Sequence, residues 1–408
     1  DLEANIEIAQ LLFQKNKYQE TIDTCKKILA TDINSIEATK LIAKSFLEIR
    51  KTDDALLYLK KALNMKPDDF EVIKDLGNIY QAIGDINNAK NYYQKSIEIN
   101  SSYAPALTNL GNLEMNTGNK QEALSLLIKA TESDPKLANA WANLANAYVQ
   151  LGKTKDAEFA CHKSIELNSN LFNSYFLLSG IFIGQNKLTE AVKTLRKSIE
   201  LNPNFSQAHL NLGVLLKHLR QLKEAELSIR KSIEINPNLF NSYFLLGSIL
   251  IEQNKHQEAE QPLRKSIELN PNYFQSYLAL GGLLGKLGNP QEAELSTRKA
   301  IELNPNNANA HSNLGNILKD LGKLKEAELS TRKAIELNPN NANAHSNLGN
   351  ILKDLGKLKE AELSIRKAIE LNPDFANAYS NLGTILKDLG KLKEAELSTR
   401  KAIELNPD

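Results

Sequence analysis

Residues 308–341 read ANAHSNLGNILKDLGKLKEAELSTRKAIELNPNN. Apolar residues recur at Leu314, Ile317, Leu318 and Leu321, the spacing of one face of a helix. Asn307 stands where a helix needs an N-cap, and Gly322 just past the stripe, where a left-handed residue closes one. A second stripe follows at Leu324, Ala327, Leu329, Ala334, Ile335 and Leu337. It stops at Asn338-Pro339, because proline cannot continue a helix. The stretch therefore predicts two helices of about 12–14 residues, each ~20 Å long. The turn between them is so short that they must lie antiparallel and side by side. Gly315 and Ala327 are small where the pair should cross, and Ala334 is small where the next pair should stack.

Working outward, the same 34-residue pattern fills all 408 residues without insertion or deletion. A proline closes units at Pro203, Pro237, Pro271, Pro305, Pro339, Pro373 and Pro407, with Pro67 and Pro135 in phase. Twelve units begin at Leu2, Ile36, Phe70, Ala104, Ala138, Phe172, Ser206, Phe240, Phe274, Ala308, Ala342 and Ala376. Such a period means a solenoid, in which each unit buries its apolar face only against its neighbours. The expected organisation is one continuous array over 1–408. It has an atypical capping unit at 2–35, internal units over 36–375 and a last unit, 376–408, without a capping helix.

Composition narrows the functional classes. Fifty basic against 49 acidic residues leave a formal charge of +1, which offers no footprint for nucleic acid or an anionic membrane. Charges alternate in sign along each unit, as at Lys325, Glu326, Glu328, Arg332 and Lys333, the mark of a solvated helix face. No stretch is long and apolar enough to predict a membrane span; Leu171 to Ile183 is the nearest and is too short. The chain starts at Asp1 with no visible signal peptide, which leaves its compartment open: cytoplasm, or outside the cell after removal of a leader. Cys25 and Cys161 share one repeat position four units apart, on the order of 40 Å if helices pack ~8–10 Å apart. They read as small packing residues rather than a disulfide.

The Leu-Gly pair on the first helix, the alanine on the second and the closing proline resemble the tetratricopeptide repeat (TPR). Trp141 occupies the position where that family often has tryptophan, shared here by Tyr175, Tyr243, Tyr277, Tyr379, His209, His311 and His345. The resemblance implies an all-α, right-handed superhelical solenoid of about twelve helix-turn-helix units, with a concave wall built from the first helices. Departures concentrate in the first unit, which has Ala9, Thr21 and Ile33 for the usual Gly, Ala and Pro. Pro262 lies inside a second helix and predicts a kink or a frayed first turn.

On the implied concave wall, amides recur. Asn109, Asn143, Asn211, Asn313, Asn347 and Asn381 share one position, joined by Asn316 and Asn350. A side-chain amide both donates and accepts, so a regular ladder of them suits the backbone of an extended peptide. The ladder resembles that of the TPR region of O-linked N-acetylglucosamine transferases and is broken at Leu177, Leu245 and Ala279. Phe176, Ile183, Leu210, Val214, Phe244, Ile251 and Leu278 should form an exposed apolar contact strip in the middle of the array. Recent duplication offers a competing explanation for the asparagines, since units ten and eleven differ at only three positions. Lys40, Lys44, Lys74 and Asn78 hint at the carboxylate clamp of chaperone-binding TPR domains, but no arginine completes it.

No phosphate loop, nucleophile elbow or paired-cysteine motif is present, and no pair of carboxylates stands out. The sequence thus predicts no catalytic residue, no metal site and no cofactor. It predicts a non-catalytic scaffold for a protein or peptide partner. The alternatives are end-to-end assembly of further copies into a filament, and the regulatory region of a larger transferase.

Overall fold

The computed structural model describes residues 2–406, so Pro407 lies outside the described residues. Among these residues there are 24 helices and no strand. They fall into two compact units, Asp1–Pro203 and Asn204–Asp408, each a row of helical hairpins. First helices have 13 residues, as in Ala308–Asp320, and second helices 14, as in Leu324–Leu337. In each unit a second helix packs against its own first helix and against the first helix of the next repeat.

Local chemistry sets these boundaries. Asn307 caps its helix by accepting from the Ala310 amide at 2.9 Å, and Asn341 does the same for Ala344. The turn inside each hairpin needs one residue in the left-handed region. Gly322 supplies it at φ 73°, whereas Arg220 adopts φ 60° at the same repeat position with a side chain that disfavours it. Between repeats, Asn338 ends the second helix and its side chain accepts from the Asn340 amide, a turn that proline can enter.

The crossing inside a hairpin is as tight as the small residues imply. A Cβ placed on Gly247 would lie 2.6 Å from Leu263, and one on Gly349 would lie 2.5 Å from Ile365. Thr331 sits where Ile365 sits in the next repeat, and its buried hydroxyl has no partner among the described residues. The second stripe needs one correction. Ala327, Thr331 and Ala334 are fully buried, but Leu329 is 70% exposed. It lies two residues past Ala327, about 200° around the helix, so it points away from the core. Leu227, Leu295, Leu363 and Leu397 share that exposed position. Pro262 also departs from expectation in part. Its helix runs His256–Leu269 and starts at the usual repeat position, so the first turn is not frayed.

Neighbouring repeats are joined by two kinds of polar contact. Buried serines pair between a second helix and the next first helix: Ser164 with Ser174 at 2.8 Å, Ser232 with Ser242 at 3.0 Å and Ser266 with Ser276 at 2.8 Å. Where the second member is alanine, as at Ala106, Ser96 instead donates to the Phe70 carbonyl. Farther along, both members become alanine: Ala300 with Ala310, Ala334 with Ala344. Hydroxyls at this contact therefore come with a partner or not at all, as expected when an orphaned buried hydroxyl costs about 1–3 kcal/mol. Ser232→Ala should destabilise the protein by about 1–2 kcal/mol, and the Ser232→Ala, Ser242→Ala double variant by less than either single change; a urea-unfolding double-mutant cycle reads the coupling.

The second contact is ionic. In the second unit Glu328 receives Arg332 at 2.9 Å and Lys357 at 2.8 Å, while Arg332 reaches Glu360 at 2.9 Å. The pattern repeats at Glu294, Arg298, Lys323 and Glu326, and at Glu362, Arg366, Lys391 and Glu394. The hydrogen bond from Lys357, with that from Arg332, holds the Glu328 carboxyl below the usual carboxylate range. The alternating charges of the second helices are thus joined from repeat to repeat.

Candidate functional site

The asparagine ladder lies on the first helices, half-buried at every rung. The rungs are not equivalent. In the first unit, Asn109 donates to Asn78 at 2.7 Å, and Asn78 also accepts from the Tyr93 hydroxyl at 2.9 Å. That amide is already used within the fold, whereas Asn143 carries no intrachain bond among the described residues. In the second unit, Asn211 accepts from Gln207 at 2.9 Å, and Asn347 makes only a long contact to Ser312 at 3.4 Å. Asn313, Asn316, Asn350 and Asn381 have no intrachain partner among the described residues. The free amides therefore concentrate toward the C-terminal repeats.

The apolar strip divides in the same way. Phe176 is half-buried and Ile183 is exposed, both in the first unit. Leu210 is only 4% exposed and belongs to the core, which corrects its expected place on an open strip. Phe244 and Ile251 are half-buried in the second unit, and they line a cavity together with amides there. A cavity of about 670 Å³ is lined entirely by the first helices of repeats eight, nine and ten. Phe244, Ile251 and Leu278 give it an apolar side; Asn313 and Asn316 give it an amide side. The Phe244 ring is held edge-on against Tyr273, with centroids 5.2 Å apart, so that side is fixed rather than floppy.

Sequence reasoning missed Gln275, Gly282, Gly285 and Asp320, which complete the cavity. A signal was present: the first helix of repeat nine carries two glycines, Gly282 and Gly285, beyond the one the crossing needs.

The lysines of the first unit do not form an open anion site. Lys40 binds Asp69 and Glu71, each at 3.0 Å, and Lys74 pairs with Asp75. Burial alone would raise the Asp69 carboxyl, but the Val72 amide and Lys40 hold it below the usual range. Glu114, almost fully buried, is bound by Lys90 at 2.6 Å and by Asn119 at 2.5 Å, a structural pairing between helices.

The histidines at the tryptophan position are absorbed by the fold. Trp141 donates to the Pro135 carbonyl at 3.0 Å; His311 and His345 meet the carbonyls of Pro305 and Pro339 in the same way, each at 2.9 Å. Cys25 and Cys161 are free and buried, and burial pushes both thiols up to about 12. Among the described residues no group of three or more His, Cys, Asp or Glu side chains could hold a metal ion, and no helix is long and apolar enough to cross a membrane.

Comparison with known proteins agrees with this architecture. Residues 35–273, more than half of the chain, match the family model of the cilia and flagella-associated protein 70 C-terminal domain. TPR models match 263–294, 297–328, 315–356, 342–375 and 376–408. No curated protein sequence matches. Among solved structures, the chain is similar to the APC/C hetero-tetramer Cut9-Hcn1, with TM-score 0.54 and 14% identity over 98% of this chain and 93% of that one. That likeness shows the fold alone. It also matches MamA, with TM-score 0.36 and 26% identity over 40% of this chain and 95% of that one. YrrB, described as a TPR protein with an unusual peptide-binding site, matches with TM-score 0.40 and 26% identity over 46% and 96%. The 34-residue period, the helical hairpins and these family matches give one answer: the chain belongs to the tetratricopeptide repeat family, its residues 35–273 to the array described for the cilia and flagella-associated protein 70 C-terminal domain.

Proposed function

We propose that the protein is a non-catalytic scaffold that holds an extended segment of a partner protein along its first helices, with the second unit as the principal contact region. One observation carries this reading: the cavity over repeats eight to ten places free amides opposite fixed apolar side chains. Amides can pair with any peptide backbone, and the apolar side selects what the backbone carries. The outer charges of the second helices support the same assignment, because they are joined to one another rather than offered to a ligand. Selection from a displayed library of random peptides on the immobilised full chain tests it. Peptides recovered on the native protein should lose affinity for a variant with Asn313, Asn347 and Asn381 all changed to alanine.

A further inference from the structure

The cavity of the second unit has a floor that packing does not explain. The first helix of repeat nine, Phe274–Lys286, carries glycine at 281, 282 and 285. Gly281 is the glycine of the crossing, where an added Cβ would collide with Thr297. Gly282 and Gly285 are different. A Cβ there would meet nothing nearer than Asn313 Nδ2 at 3.8 Å and Ile317 Cγ1 at 3.9 Å, both ordinary contacts. Neither has a positive φ, so the backbone does not require glycine. Each costs its helix stability relative to alanine and returns none through packing. They lie three residues apart and three from Ala279, on the side that faces the cavity. The flanking repeats carry Ser248 and Ile251, or Asn316 and Lys319, at the two glycine positions. What the glycines provide is space.

A second observation points to an occupant. Gln275, about two turns before Gly282 on the same helix, lines the cavity, and its Oε1 is buried without a hydrogen-bond partner among the described residues. The rim is charged along one edge. Lys286 and Asp320 occupy one repeat position on adjacent helices, and neither has an ion pair among the described residues.

Resting on the groove reading above, we propose that this notch is the anchor subsite of the groove: it takes one bulky aromatic side chain of an extended peptide, flanked by an acidic residue that meets Lys286 and a basic one that meets Asp320. The ring fills the space over Gly282 and Gly285 beside Phe244 and Ile251, and Gln275 Oε1 accepts a backbone N–H of the peptide. A volume of about 670 Å³ suits a large side chain with its neighbouring backbone.

The test uses the full chain and the variant Gly282→Leu, Gly285→Leu. Filling the notch should leave folding intact and raise the thermal midpoint, because both glycines sit in a helix with room for a side chain. Short fluorescein-labelled Gly/Ser peptides carrying Glu-Xaa-Lys at the centre, with Xaa as Trp or Ala, serve as probes by fluorescence polarisation. The native chain should bind the Trp peptide at least about tenfold more tightly than the Ala peptide, and the filled variant should not distinguish them. Equal binding of the two peptides to the native chain, or a Trp preference that survives in the filled variant, overturns the notch and leaves the groove standing. No binding of either peptide overturns both.

Discussion

Gly349→Leu should lower the stability of the second unit by about 1–3 kcal/mol. The position has no room. Its Cβ alone would stand 2.5 Å from the Ile365 side chain and 3.3 Å from the Ala361 carbonyl oxygen. The carbonyl belongs to the backbone of the facing helix and cannot turn away, so the two helices must separate. Separation would expose Leu352, Ala361 and Ile365, all fully buried, and would loosen the seat of the next repeat. Because a solenoid is held together by nearest-neighbour contacts, the damage should begin locally. Urea unfolding followed by circular dichroism should show a lower midpoint, and a shallower slope if the repeats beyond Gly349 uncouple from the rest. An unchanged midpoint would mean that the crossing is looser than the distances say. The same substitution at Gly282 should have the opposite sign, which makes the pair a test of geometry rather than of glycine.

Changing Asn313, Asn347 and Asn381 together to alanine should weaken a groove-bound peptide by about 30-fold or more. A hydrogen bond contributes about 0.5–1.5 kcal/mol net, so three amide rungs are worth roughly 2–4 kcal/mol. Helicity should not change. The three side chains are half-buried on helix faces, none caps a helix, and the Asn347 contact with Ser312 at 3.4 Å is their one intrachain bond among the described residues. Asn109 would be a poor choice for this experiment, because its amide bonds Asn78 and its loss would disturb the fold. Isothermal titration with a library-selected peptide reads the effect; an affinity within twofold of the native chain would remove the ladder from the mechanism.

The hairpin fold could be read from the sequence because its determinants are local: the stripe at Leu314, Ile317 and Leu318, the cap at Asn307 and the turn at Gly322 each act within a few residues. Leu329 was misplaced because apolar character alone does not say which side of a helix a residue occupies, and the buried side of the second helix is marked by Ala327 and Ala334 instead. Leu210 shares a repeat position with Phe244, yet one is buried and the other half-open, a difference set by neighbouring repeats that pattern reading cannot weigh. The inter-repeat ion pairs were visible only as alternating charge; their partners, as with Arg332 and Glu360, sit 28 residues apart and meet only once the hairpins stack. For the site, the amides were legible by type and position. Which of them are free was not, since that depends on contacts such as Asn78 with Asn109.

The central claim, that the first helices of the second unit hold the partner, has a rival surface in the molecule itself. Leu295, Leu329 and Leu363 stand exposed in a row on the second helices and could equally receive an apolar ligand. Methyl NMR of the full chain, labelled at Ile and Leu and titrated with a library-selected peptide, distinguishes the two directly. The account predicts shifts at Ile251, Leu278 and Ile317, with Leu295, Leu329 and Leu363 unmoved. Shifts confined to those three leucines would contradict it and place the binding surface on the opposite set of helices.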